Sequence, residues 1–97
     1  LSTIPARAGW ERQIDQFNAI IINTARDYDI PLWDYNAAMR TLPNAGLSID
    51  NVHPSWPPGD AVLAADLTAA NLRYGYTMRN LTGLQVLDAL RQQVLHS

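Results

Sequence analysis

The spacing of apolar residues changes period twice within the first 35 positions, and that alternation restricts the architecture more than any other feature. Leu1 to Ile4 is a short apolar, β-branched stretch stopped by Pro5, the pattern of the exit end of a buried strand. After a loop from Pro5 to Gly9 the period becomes helical: Trp10, Ile14, Phe17, Ile21, Thr24 or Ala25, and Tyr28 recur at three- and four-residue steps. Glu11, Arg12, Asp15, Gln16, Asn23 and Asp27 fall largely on the opposite side. The spacing therefore predicts an amphipathic helix from about Trp10 to Tyr28 whose apolar stripe packs into a core. A tight turn at Asp29 leads to Ile30-Pro31-Leu32-Trp33-Asp34-Tyr35, which reads as a short strand with its proline near the entry. Strand, helix and strand make a right-handed βαβ crossover, which implies a parallel sheet.

Beyond Tyr35 the pattern loosens. Asn36 to Leu42 suits a helical turn or two, ended by the turn chemistry of Pro43-Asn44-Ala45-Gly46. Leu47 to Gly59 is irregular, with Pro54, Pro57 and Pro58 preventing a long helix. Asp60 suits the N-cap of a helix from Ala61 to about Leu72, Arg73 to Thr77 breaks that pattern, and a last helix is expected from about Leu81 to Leu95. Two parallel strands cannot form a sheet covered on both faces, and an open five-strand α/β domain needs on the order of 150 residues. The 97 residues thus read as a single partial domain, the carboxyl-terminal part of a larger α/β domain whose other strands come from outside this chain.

Composition narrows the chemistry. Seven arginines, no lysine and nine acidic residues give a net charge of −2, which argues against nucleic acid as the main partner. The lack of lysine excludes Schiff-base and P-loop lysine chemistry, and the lack of cysteine excludes disulfides, thiolate catalysis and cysteine–metal sites. No apolar run approaches the roughly 18 to 20 residues of a membrane span. The compartment stays open.

Of the two histidines, His96 lies next to the last residue, where chain ends fray, and reads as a solvated tail. His53 lies in Ile49-Asp50-Asn51-Val52-His53-Pro54-Ser55, a loop expected beyond the carboxyl end of the last strand, where open α/β sheets bind ligands. Asp50 precedes it by three residues, so a turn can bring the carboxylate to the imidazole Nδ1. That bond would fix the tautomer, turn Nε2 outward and stabilise the imidazolium formed when His53 takes a proton. A turn-stabilising Asp beside a surface His gives the same spacing. A metal site on this pair is weak, because zinc takes three or four protein ligands and no further His or Cys is near.

The ordered set Thr3-Ile4-Pro5, Phe17-Asn18, Ala25-Arg26-Asp27-Tyr28, Ile30-Pro31-Leu32-Trp33-Asp34 and Asp50-Asn51-Val52-His53-Pro54-Ser55 resembles the end of an SGNH (GDSL-type) hydrolase over residues 1 to about 70. The resemblance implies a three-layer α/β/α, flavodoxin-like domain with a parallel sheet, and a Ser-His-Asp set that hydrolyses esters without a cofactor. His53 would be the general base and Asp50 its orienting acid. The nucleophilic Ser of the family's Gly-Asp-Ser block and its oxyanion-hole Gly and Asn would come from residues preceding Leu1. The implied partners are a small-molecule, carbohydrate or lipid ester and the amino-terminal portion of the same domain. This chain alone would be inactive.

Some residues depart from that pattern or admit two readings. The chain has no Gly-Asp-Ser; Gly59-Asp60-Ala61 carries Ala at the nucleophile position, follows the His, and reads as a helix start. Ser55 lacks any sign of an oxyanion hole opposite it. The family's Gly five residues after the His stands here at six, as Gly59, and Arg73 to Arg79 with a further helix extends past the usual end. That segment either walls a substrate pocket or, on balance, packs outside it. Asp34 suits a cap for the Asn36–Leu42 turn better than a catalytic part. Val52 and Trp56 are the candidate substrate-binding residues, although Trp56 serves equally as a cover over the core beneath Pro57-Pro58. Asn80-Leu81-Thr82 matches a glycosylation acceptor, a pattern common by chance. Two functions compete: part of a serine ester hydrolase, or a non-catalytic α/β module that binds a ligand or partner at the same loop edge.

Overall fold

A computed structural model describes residues 1–59 and 61–95. Among the described residues it is mostly helical, 58% against 4% extended, and the expected parallel sheet is absent. The α-helices among these residues are α1 (Glu11–Asp27), α2 (Tyr35–Met39) and α3 (Gly75–Leu95), with 3-10 turns at Pro43–Gly46, Ala61–Ala65 and Asn71–Arg73.

The two segments read as strands do run side by side and parallel, but they pair at one bridge only, Ser2 to Trp33. Thr3 N–H donates to Trp33 O at 3.0 Å and Trp33 N–H to Leu1 O at 2.7 Å. The ladder stops there for local reasons. The Leu1 amine still donates to Pro31 O at 2.9 Å, but Pro5 lacks the N–H that would extend the ladder beyond Thr3, and at Asp34 the backbone is already turning into α2. The Asp34 side chain accepts from Ala37 N–H at 3.2 Å and from Thr3 Oγ1 at 2.9 Å, so Asp34 is the cap of α2. On the other edge, Asn18 of α1 takes both backbone groups of Ile4, accepting from its N–H at 2.8 Å and donating to its carbonyl at 2.9 Å. A side-chain amide stands where a further strand would pair. A three-layer sandwich would be about 30 Å thick, two helix diameters and a sheet; the molecule measures 41 × 33 × 17 Å.

Helix α1 matches the periodicity at both ends. It closes with Asp29 in the left-handed region (φ 54°), Asp29 N–H on Arg26 O at 3.3 Å and Ile30 N–H on Ala25 O at 2.8 Å, a Schellman closure with Asp in the usual glycine position. Its inward face is Asn18 and Ala25, flanked by half-buried Ile14 and Ile21. The expectation that the whole apolar stripe packs inward is corrected: Trp10, Phe17 and Tyr28 are exposed. The core lies elsewhere, in Tyr35, Met39 and Leu47 with Trp33, Leu42 and Ala6 against them.

The carboxyl-terminal half departs most from the periodicity. The expected Ala61–Leu72 helix is two short 3-10 turns, because side-chain amides take the carbonyls a helix would use: Asn71 Nδ2 donates to Leu63 O and Asp66 O, and Asn80 Nδ2 to Ala64 O. The N-cap proposed for Asp60 and the tail reading of His96 lie outside the described residues. Helix α3 starts at Gly75, six residues before the sequence placed it. Ser55 supplies the cap from the distant loop, accepting Gly75 N–H on Oγ at 3.0 Å and Tyr76 N–H on its carbonyl at 2.8 Å. Trp33 then lies on Gly83 and donates Nε1–H to Thr82 Oγ1 at 2.8 Å, which leaves Leu84, Leu87 and Val94 on the outer side. Asn80 and Thr82 are thereby engaged within a helix and do not present a loop acceptor for glycosylation.

Of the glycines, Gly75 has the least room for a side chain. A Cβ there would be driven into the Gly46 carbonyl oxygen and to 2.9 Å from Met39 Cε. Gly75→Ala is expected to lower stability by about 3 kcal/mol, read by denaturant unfolding, since a backbone carbonyl cannot move aside as a flexible side chain can. Tyr35, buried, donates its hydroxyl to Gly75 O at 2.9 Å. Burial raises its pKa to about 12, with Arg79 lowering it and Tyr76 raising it. A raised value means the stabilisation is complete below the unfolded phenol's pKa near 10 and is lost as pH rises through the folded value. The melting temperature of the native chain should therefore fall from about pH 10 upward, and Tyr35→Phe should cost about 1.5 kcal/mol at neutral pH while losing that alkaline dependence.

Candidate active site

The His53 loop is a narrow excursion between Leu47 and Pro54, which pair as an antiparallel bridge. Ser48 N–H donates to His53 O at 2.8 Å, Asn51 N–H to Ser48 O at 2.9 Å, and Asn51 turns the chain with φ at 57°. Hydrogen bonds tie the loop to its surroundings. Asn44 Nδ2 donates to Asn51 Oδ1 at 2.9 Å, Ala8 N–H to Asn51 O at 3.0 Å, and Ser55 N–H to Gly46 O at 2.7 Å.

Within this loop Asp50 and His53 meet: Nδ1 lies 2.6 Å from Oδ2. The other carboxylate oxygen is occupied as well. Oδ1 accepts from Ser48 Oγ–H at 2.6 Å, Val52 N–H at 2.9 Å and His53 N–H at 3.0 Å. With Oδ1 saturated, the carboxylate cannot turn away from the imidazole, and the Nδ1–H tautomer leaves the Nε2 lone pair to exchange protons. The imidazole stands 70% open and the carboxylate 48%, so Nε2 chemistry is accessible from solvent. The hydrogen bond from Ser48, then those from His53 and from the Val52 and His53 amides, hold the Asp50 carboxyl well below the usual carboxylate range.

A cavity of about 330 Å³ opens at this pair, walled by Ser48, Pro54, Trp56 and Tyr76. Trp56 is exposed and stacks on Tyr76, centroids 5.4 Å apart at 23°. Of the two candidate substrate-binding residues, Trp56 therefore lines the cavity, whereas Val52 is half-buried and acts through its amide on Asp50. Ser55 is fixed between Gly46 O, to which its hydroxyl donates at 3.1 Å, and the Gly75 amide; its role is the cap of α3. Asp34 stays with Thr3 and α2, among residues that do not line the His53 cavity. Sequence reasoning missed Ser48 and Tyr76. Ser48 stands two residues before Asp50, the one signal that could have found it; Tyr76 reaches the site only through the early start of α3.

No family model, no curated protein and no solved structure matches the chain. Among the described residues no helix is long and apolar enough to cross a membrane.

Because the Asp50 value is depressed, the loop stabilisation it gives is complete above the unfolded carboxylate's ordinary pKa, near 3.9, and is lost as pH falls through the lower folded value. Carboxyl ¹³C titration by NMR should find Asp50 still ionised below the ordinary aspartate pKa near 3.9. Ser48→Ala should move that titration upward, because one of the donors on Oδ1 is gone.

Proposed function

We propose that this chain supplies the His base and Asp of a Ser-His-Asp set in an ester hydrolase of the SGNH (GDSL) type, with the nucleophile and oxyanion donors contributed from outside these residues. The observation that carries this reading is the 2.6 Å contact of His53 Nδ1 with an Asp50 carboxylate whose second oxygen is already filled by other donors. An Asp that merely stabilised a turn would need only those other donors. Here the oxygen they leave over is directed to the imidazole, whose ring lies open at a cavity. The ordered motifs from Thr3-Ile4-Pro5 to His53-Pro54-Ser55 support the same reading.

In the reaction, a serine hydroxyl attacks the acyl carbonyl carbon while His53 Nε2 takes its proton. Asp50 stabilises the resulting imidazolium, which returns the proton to the departing alcohol as the C–O bond breaks. Water, deprotonated by the same nitrogen, then frees the acid and the serine. Trp56 and Tyr76 wall the space beside the base. A binding module that uses the same loop remains the second reading, favoured by the absence of Gly-Asp-Ser from residues 1–97.

Kinetics separate the two. In the full-length protein His53→Ala should reduce hydrolysis of short activated acyl esters by at least about 10³-fold, because the hydroxyl loses its proton acceptor. Asp50→Asn should be comparable or milder; in serine proteases the equivalent change costs ~10⁴ in turnover. His53→Ala should keep stability within about 1 kcal/mol, as substitutions of open side chains usually do. Undiminished hydrolysis by His53→Ala would put the binding module first.

A further inference from the structure

A second cavity, about 570 Å³, lies against the first and shares Ser48 and Trp56 with it. Its walls include Leu47, Ile49, Trp56 and Tyr74, with Asn44 as a polar group and Arg73 as its one charged lining residue. The size and make-up are those of small-ligand sites, which are mostly apolar or aromatic with a few polar groups and run roughly 300 to 1,000 Å³. The Arg73 guanidinium lies over the Tyr74 ring, 5.8 Å from its centroid. The ion pairs among the described residues involve Arg26, Arg40, His53 and Arg91, and none takes Arg73. An arginine beside an aromatic ring, with no protein carboxylate paired to it, leaves its fork of N–H donors for an incoming anion. Trp56 carries the aromatic wall from this cavity into the one at His53.

We infer that this cavity recognises an anionic, ring-bearing portion of the ester: Arg73 pairs with a carboxylate on that portion, and Trp56 and Tyr74 take its flat face. The inference rests on the ester-hydrolase reading for the word substrate, and on the cavity alone for the binding of an anion. It makes the preferred substrate an ester with a carboxylate on a ring, in place of a neutral aliphatic ester.

The test uses the full-length protein and two product-like probes of nearly the same shape and different charge, 4-hydroxybenzoate and 4-hydroxybenzamide, with binding measured by calorimetry. The acid should bind at least about tenfold tighter at low salt, and the advantage should shrink as salt is added, since surface-accessible ion pairs are screened. Arg73→Gln should abolish the difference and Arg73→Lys should retain part of it. Equal binding of the two probes by the native protein, or a preference that survives Arg73→Gln, overturns the anion site. The two proposals fail separately. Arg73-dependent binding of the acid with hydrolysis of 4-acetoxybenzoate unaffected by His53→Ala upholds the anion site and sinks the hydrolase reading. Hydrolysis that needs His53 without any Arg73-dependent preference sinks the anion site alone.

Discussion

The approach of Gly75 to the Gly46 carbonyl governs how the rest of this molecule is arranged. Only hydrogen atoms stand between the two backbones, and Ser55 locks them by donating to Gly46 O and accepting from Gly75 N–H. That one contact starts α3, fixes the exit of the His53 loop two residues after the histidine, and gives the Tyr35 hydroxyl its acceptor. The left-handed pair Asn44 (φ 51°) and Ala45 (φ 53°) just before Gly46 bends the chain to reach it. For a non-glycine residue such a conformation costs roughly 1–2 kcal/mol, so the packing it permits must offset that cost.

The site follows from this frame. With Leu47 and Pro54 held together, the intervening residues have little choice but to fold over Asp50. Its carboxylate then collects hydrogen bonds from Ser48, Val52 and the backbone and ring of His53. His53 is positioned by short-range bonds within six residues, not by a sheet edge. Early initiation of α3 delivers Tyr76 to Trp56, so the aromatic wall depends on the same Ser55 cap as the loop itself.

What was legible in the sequence is what depends on near neighbours. Helix α1, its close at Asp29, the cap at Asp34 and the Asp50–His53 contact are all set within a few residues, and spacing alone located them. What was not legible depends on distant partners. The sheet fails because Asn18 covers the outer edge at Ile4 and Pro5 lacks the donor that would carry the ladder on. The Ala61–Leu72 periodicity is broken by amides from Asn71 and Asn80. The start of α3 is dictated by a serine twenty positions earlier in the chain. The apolar stripe of α1 was read correctly as a stripe, but periodicity states only that a face is apolar and says nothing of what covers it; Phe17 stands open.

Covalent trapping tests the central claim, that His53 is the base of a serine ester hydrolase, most directly. A fluorophosphonate reacts when a serine oxygen attacks phosphorus and fluoride departs, a step that needs the neighbouring base to accept the hydroxyl proton but needs no knowledge of the natural ester. Mass spectrometry of the full-length protein should find one phosphonyl group on a serine outside residues 1–97, and none in His53→Ala. Absence of labelling, labelling of Ser55, or labelling that survives His53→Ala would contradict the account.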